Sequence, residues 1–252
     1  MPGHSGEDQF SILLPILQDY GIEKKLGAII ADNAPPNNVL CRIIEKHMEE
    51  TYNKEWLADE WRIRCIGHII NLVVQAFLFA EVIDLEELAS YDLEDEDGEL
   101  TDKEAKRARF RLLGPLGKGH NIVVYIGGSP ARTDVFRKLA GRLIPMDNRT
   151  RWNSWYEMLL VLLLLKGKVE DYCEKYESEL EEDLLSREDW KKLGMIKDFL
   201  APFSRATLAT EGDGVSIDLT LFNMDILIQH LQETTVRRSP SLLLLTSLYI
   251  IG

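Results

Sequence analysis

Asp32 closes the short apolar run Leu26-Gly27-Ala28-Ile29-Ile30-Ala31 and stands just before Asn33 and the pair Pro35-Pro36. A carboxylate at the end of a buried strand is rigidly held and open to solvent, as a metal ligand must be. One carboxylate does not make a site. Mg²⁺ chemistry on phosphates needs at least a second protein oxygen, and two-metal sites need several. The same aspartate would equally cap the turn ahead of the two prolines. Residue types alone do not choose between these readings.

Cys65 and His68 are separated by two residues, the spacing of half a zinc site. Cys41, Cys173, His4, His47, His120 and His230 supply no second pair of that spacing, so structural zinc is not expected. A nucleophilic Cys65 with His68 as its base rests on proximity alone. A buried thiol beside a hydrogen-bonded imidazole is the plainer expectation.

The segment Asp147-Asn148-Arg149-Thr150-Arg151-Trp152-Asn153-Ser154-Trp155 concentrates guanidinium groups and indoles before a long apolar run. That mixture suits phosphate pairing with base stacking. It equally suits an Arg-Trp packing cluster in which Asn153 or Ser154 caps a helix. Arg107, Arg109, Arg111, Lys118 and His120 form a second basic patch, which would also serve to offset the acidic residues beside it.

These residues must be carried by a chain of 252 residues with a net charge of −13 and 45% hydrophobic residues. That composition belongs to a globular protein of one large domain or two small ones. The charge is unevenly placed. Residues Glu81 to Glu104 hold 12 acids and one base, and Glu170 to Asp189 hold 10 acids and two bases, which leaves the remainder at +6. A mildly basic body can meet phosphates on one face, so the overall acidity does not exclude nucleic acid. Three cysteines suit a reducing compartment, and the start lacks the basic and apolar regions of a secretory signal, so secretion is not expected. The leucine-rich runs 159–165 and 242–245 are too short for a bilayer span, and no membrane partner is expected.

Spacing of apolar residues predicts a helix over 6–20 stopped by Gly21, a buried strand over 26–31, and a helix to about Tyr52 capped by Asn37 or Asn38. A short strand over 61–66 runs into a buried helix over 68–78. The charge run 92–99 reads as a linker. Beyond it, helices are expected over 103–113, 120–126, 131–143, 153–177, 189–210 and 218–235, punctuated by glycines and prolines.

Taken in order, four strings resemble the transposases of the hAT superfamily, closest to forms common in fungal genomes. They are Ile30-Ala31-Asp32-Asn33-Ala34 with Asn37-Asn38, the run from Arg62 to Leu72, Gly114-Pro115-Leu116-Gly117-Lys118, and the run from Thr150 to Tyr156. The resemblance spans roughly residues 4 to 235. It implies an RNase H-like core interrupted by a helical insertion domain, acting in the nucleus on transposon ends through Asp, Asp, Glu and Mg²⁺ or Mn²⁺. Asp32 matches the second acidic ligand. Arg151 and Trp152 match the Arg-Trp motif associated with DNA and a flipped base, and Cys65 and His68 match a Cys-x-x-His motif near the active site.

The expected fold is therefore α+β, mostly α. An incomplete RNase H-like core occupies 1–80, an acidic linker 81–102, a helical insertion-type domain 103–240, and an unrelated apolar tail 241–252. Against the family pattern, the first catalytic Asp, the last catalytic Glu, the dimerisation region, the zinc-binding DNA-recognition domain and three strands are expected to be missing. Gly127-Gly128 stand where relatives commonly have arginine, which thins the basic surface. With one of three carboxylates, the chain is expected to be a catalytically inactive transposase-derived remnant with weak DNA binding, needing no cofactor of its own. The alternatives are a domesticated module binding a full-length transposase or another protein, and a degenerate gene product that does not fold stably.

Overall fold

The computed structural model describes residues 5–79, 100–148, 151–210 and 216–237. The acidic run 92–99, most of the linker 81–102, Arg149, Thr150 and the tail 241–252 lie outside the described residues. Among those described, the chain is mostly helix with one two-stranded parallel sheet. It divides into two compact units, Met1–Ile70 and Asn71–Gly252.

In the first unit, α1 spans Gly6–Asp19. The Asp8 N–H donates to Ser5 Oγ, satisfying one of the donors that a helix start leaves free, and Glu7 and Asp8 sit where the helix dipole favours acids. Strand β1 (Ile29–Ala31) leads into α2 (Pro35–Tyr52). This start corrects the expected cap. Pro35 and Pro36 occupy the first helical positions, where a missing N–H costs nothing, and Ala34 is the cap residue, so Asn37 lies inside the first turn. Helix α2 buries Leu40, Cys41, Ile44 and Met48 against Trp56, Ala58, Phe10, Leu13, Leu26 and Ile29.

A short α3 (Ala58–Trp61) takes Trp61, which was expected in the strand, and β2 is only Arg62–Arg64. The strands pair parallel, with Ile30 opposite Ile63. Both of those side chains are exposed, at 65% and 40%, so β1 is not the buried strand its apolar run predicts. Two strands alone cannot cover both faces of a sheet. Helix α4 (Ile66–Phe79) follows, and the division between the units falls within it.

The second unit is helical. It holds α5 (Leu100–Arg111), α6 (Pro115–Gly127), α7 (Pro130–Ala140), α8 (Trp152–Leu164), α9 (Lys166–Lys175), α10 (Glu177–Leu180), a 3₁₀ turn (Glu181–Asp183), α11 (Arg187–Thr210) and α12 (Ile217–Arg237). Its core gathers Ile122, Phe136, Trp155, Met158, Leu159, Leu162, Tyr172, Leu180 and Leu193, all essentially buried. Two glycines in the 114–119 stretch set how closely its helices approach. A Cβ on Gly117 would lie 1.6 Å from the Phe110 carbonyl oxygen, and one on Gly119 would lie 2.7 Å from Leu162 Cδ2. The single helix expected over 153–177 is broken at Leu165 and Tyr176, whose backbone angles leave helical values. The break lets α9 turn so that Tyr172 packs edge-on against Phe136 at 5.4 Å. No described helix is long and apolar enough to cross a membrane.

Candidate functional site

Asp32 does stand at the exposed end of β1. Its Oδ1 accepts the Ala34 N–H at 3.0 Å and the Asn37 side-chain N–H at 2.6 Å. This is the turn-capping geometry that holds the chain between β1 and the prolines of α2. The backbone carbonyl of Asp32 accepts from Arg62 Nη2 at 2.8 Å, while Arg62 Nη1 donates to Asn38 Oδ1. Arg62 is thus a clamp on the strand end, a role its alternating neighbours gave no reason to assign. Its pairing with β1 in register across 33 residues of sequence is what brings it there.

Cys65 follows β2, and its backbone N–H donates to the Ala31 carbonyl at 2.9 Å, extending the ladder by one bond. Its own carbonyl accepts the Ile69 N–H, so Cys65 opens α4 and His68 lies in the first turn. Both side chains are partly exposed. Among the described residues, no group of three or more His, Cys, Asp and Glu converges.

The second candidate lies in the other unit, at the start of α8. Helix α8 begins at Trp152, with Arg151 as the extended residue before it and no side-chain cap from Arg151, Asn153 or Ser154 in the expected sense. Ser154 instead ties back the approaching loop. Its Oγ accepts the Asn148 N–H at 2.7 Å and lies within donating distance of the Asn148 and Arg151 carbonyls, at 2.9 and 2.8 Å. The Arg151 N–H donates to Asn148 Oδ1 at 3.0 Å. The Trp152 N–H donates to Asn71 Oδ1 at 3.2 Å. Arg151 is exposed, whereas the indole of Trp152 is 2% exposed and packs against Tyr156. In this structure the guanidinium is the solvent-facing member of the pair.

The loop's other end is anchored by Asp147, whose Oδ1 meets His120 Nδ1 at 2.7 Å. That pairing occupies the single acid in residues 137–151, where Arg137, Lys138, Arg142, Arg149 and Arg151 supply five bases. Arg137, Lys138 and Arg142 are exposed. They lie upstream of the Arg-Trp string, and the ratio of five bases to one acid over 137–151 is the signal for them in the residues.

The other basic patch is largely consumed by the fold. Arg107 donates to the fully buried Asp183 at 2.5 Å, and Arg111 Nε donates to the same carboxylate at 2.9 Å. Asn121 completes the arrangement by donating to Asp183 Oδ1 at 2.8 Å. Lys118 pairs with Asp189 at 3.1 Å.

Comparison with known proteins gives a consistent picture. The ZBED1 RNase-like helical domain family matches residues 63–199. A protein of Talaromyces stipitatus bearing the name of a transcriptional regulator, tpeD, is 26% identical over 242 residues, which is 94% of this chain and 28% of that protein. Two proteins of Zea mays bearing the names AC transposase and AC9 transposase are each 27% identical over 172 residues, 65% of this chain and 17% of theirs. The chain thus spans less than a third of the length of each of these relatives. No solved structure gives a significant match.

Proposed function

The chain belongs to the ZBED1 RNase-like helical domain family and is related to hAT transposases, and from that premise we propose that it binds nucleic acid at the Arg151 turn without cutting it. The observation that carries the reading is the contrast between the two clusters of arginines. Arg107 and Arg111 are spent on Asp183, while Arg151 is exposed on a loop whose one acid is turned toward His120. A cation presented by a braced loop is suited to phosphate oxygens. Trp152 serves as the buried anchor that fixes where Arg151 leaves the helix. Lack of cleavage is supported by the engagement of Asp32 Oδ1 in its turn and, among the described residues, by the absence of a converging group of His, Cys, Asp and Glu, since metal-assisted phosphoryl transfer needs several ligands. The names of the relatives, a transcriptional regulator and two transposases, support a place in transcription or transposition and, with it, a nuclear location.

The test is fluorescence anisotropy of a labelled DNA duplex titrated with the chain at two salt concentrations. Binding should weaken as salt rises. Arg151→Ala should reduce the slope of log affinity against log salt by about 1, the value for one phosphate contact. An unchanged slope would remove the reading. Incubation with Mg²⁺ should leave a transposon-end substrate intact, and a nick lost in Asp32→Ala would overturn the second half of the proposal.

A second reading draws on α12, where Leu221 and Phe222 are exposed. Exposed large apolar side chains on a helix suit a protein partner, including a longer transposase. A specific complex formed without DNA and lost in Leu221→Asp would favour it.

A further inference from the structure

We infer that Asn71 is a positioning residue for the nucleic-acid contact of Arg151, an inference that rests on the reading of Arg151 given above. The first N–H groups of a helix have no partner within it and are commonly satisfied by a side chain just upstream. Helix α8 departs from that pattern. The N–H of Trp152, its first residue, is taken by Asn71 Oδ1, from a helix 81 residues earlier in the chain. The local side chains are used differently. Asn148 Oδ1 accepts the Arg151 N–H, and Ser154 Oγ accepts the Asn148 N–H. Arg151 therefore sits between two fixed amides, its own held by Asn148 and the next held by Asn71.

This arrangement removes the freedom that would let the arginine swing with the loop. The indole of Trp152 is buried, so the Cα of residue 152 is held by packing. The peptide that joins it to Arg151 can still rotate, and the bond from Asn71 fixes that peptide's orientation. Ordering a long side chain on binding costs conformational entropy, and a preset backbone reduces the part that binding must supply. Asn71 touches no ligand in this scheme and acts through the Arg151–Trp152 peptide.

A double-mutant cycle on the full chain separates positioning from a general contribution to folding. DNA affinity is measured by anisotropy at low salt for the unmodified chain, Asn71→Ala, Arg151→Ala and the double variant, each shown to unfold cooperatively in urea. Loss of one hydrogen bond that orients the contact should weaken binding about five-fold in the presence of Arg151. In the Arg151→Ala background the same change should alter affinity by less than about two-fold. An equal loss in both backgrounds would mean that Asn71 is only structural, and no loss in either would mean that the bond does not matter. Both results overturn the inference. If Arg151→Ala itself leaves affinity unchanged, the reading of the site fails and the positioning role fails with it. Should Asn71→Ala lose its cooperative transition, Asn71→Thr carries the same cycle under the same criteria.

Discussion

His120 Nδ1 lies 2.7 Å from Asp147 Oδ1, with the imidazole stacked on Phe110 at 3.8 Å and on Trp155 at 5.4 Å. The pair joins α6 to the start of the loop that ends at Arg151. Both side chains are nearly buried, so removing one leaves the other without water as a substitute partner. Asp147→Ala should therefore destabilise the chain by about 2 kcal/mol, and Asp147→Asn, which keeps an acceptor oxygen, by about 1. Urea unfolding followed through the tryptophans measures both, with an unchanged denaturant slope as the sign that only stability has moved. Equal costs for the two variants would mean that the hydrogen bond is not what Asp147 contributes.

Asp183 poses a sharper case. Its carboxylate is fully buried and accepts from Arg107, Arg111 and Asn121. Removing one partner of a buried charge group strands the others, which typically costs about 3–5 kcal/mol. Asp183→Ala should thus approach the loss of the whole fold of the second unit. Asp134, exposed and paired with Arg137, provides the control. Its replacement by Ala should cost less than about 1 kcal/mol, as for surface pairs in general. Similar midpoints for the two variants in urea would show that the Asp183 cluster is not a staple.

The acid limb of stability should report Asp189. Burial opposes its ionisation, but the Ser186 backbone N–H at 3.0 Å and Lys118 at 3.1 Å outweigh that and hold its pKa below the ordinary 3.8. Glu23 is lowered likewise, first through the Tyr52 hydroxyl and, against the effect of burial, through His47. A carboxyl whose native pKa is depressed takes up protons more readily when unfolded. Its contribution is present above the ordinary carboxylate range and is lost as pH falls through and below it. The urea midpoint should decline from about pH 5 downward, and Asp189→Asn should flatten that decline. A midpoint that rises on acidification would contradict the assignment.

Much of this was legible in the residues, and the failures have physical causes. Helix α1 and the helices from 187 and 217 follow from apolar spacing, because one face of each packs on a core and the other meets water. The start of α11 was also readable from Ser186 and Asp189, which reciprocate as a capping box, although apolar periodicity alone placed the start at Asp189 itself. The breaks at Leu165 and Tyr176 were not legible. Neither residue disrupts a helix locally, and the turns exist because Tyr172 must reach Phe136. At the site, the exposure of Arg151 and the position of Asp32 were foreseeable from type and neighbours. Arg62 as clamp and Asn71 as remote cap were not, because each acts on a residue 30 or 81 positions away.

The three cysteines should separate cleanly by reactivity. All are free thiols, and the nucleophile in disulfide exchange is the thiolate. Burial pushes the Cys173 thiol up to about 12, and burial raises Cys41 too, despite the partial offset from Arg62 and Arg42. Both are protonated at about pH 8 and shielded from reagent. Cys65, at the junction of β2 and α4, is partly exposed. An aromatic disulfide reagent should accordingly label one thiol rapidly in the native chain and three in denaturant, and Cys65→Ser should abolish the rapid phase. The slow thiols should react at rates that rise with urea, since they become accessible only through opening. Three thiols reacting together in the native chain would show that the packing around Cys41 and Cys173 does not persist in solution.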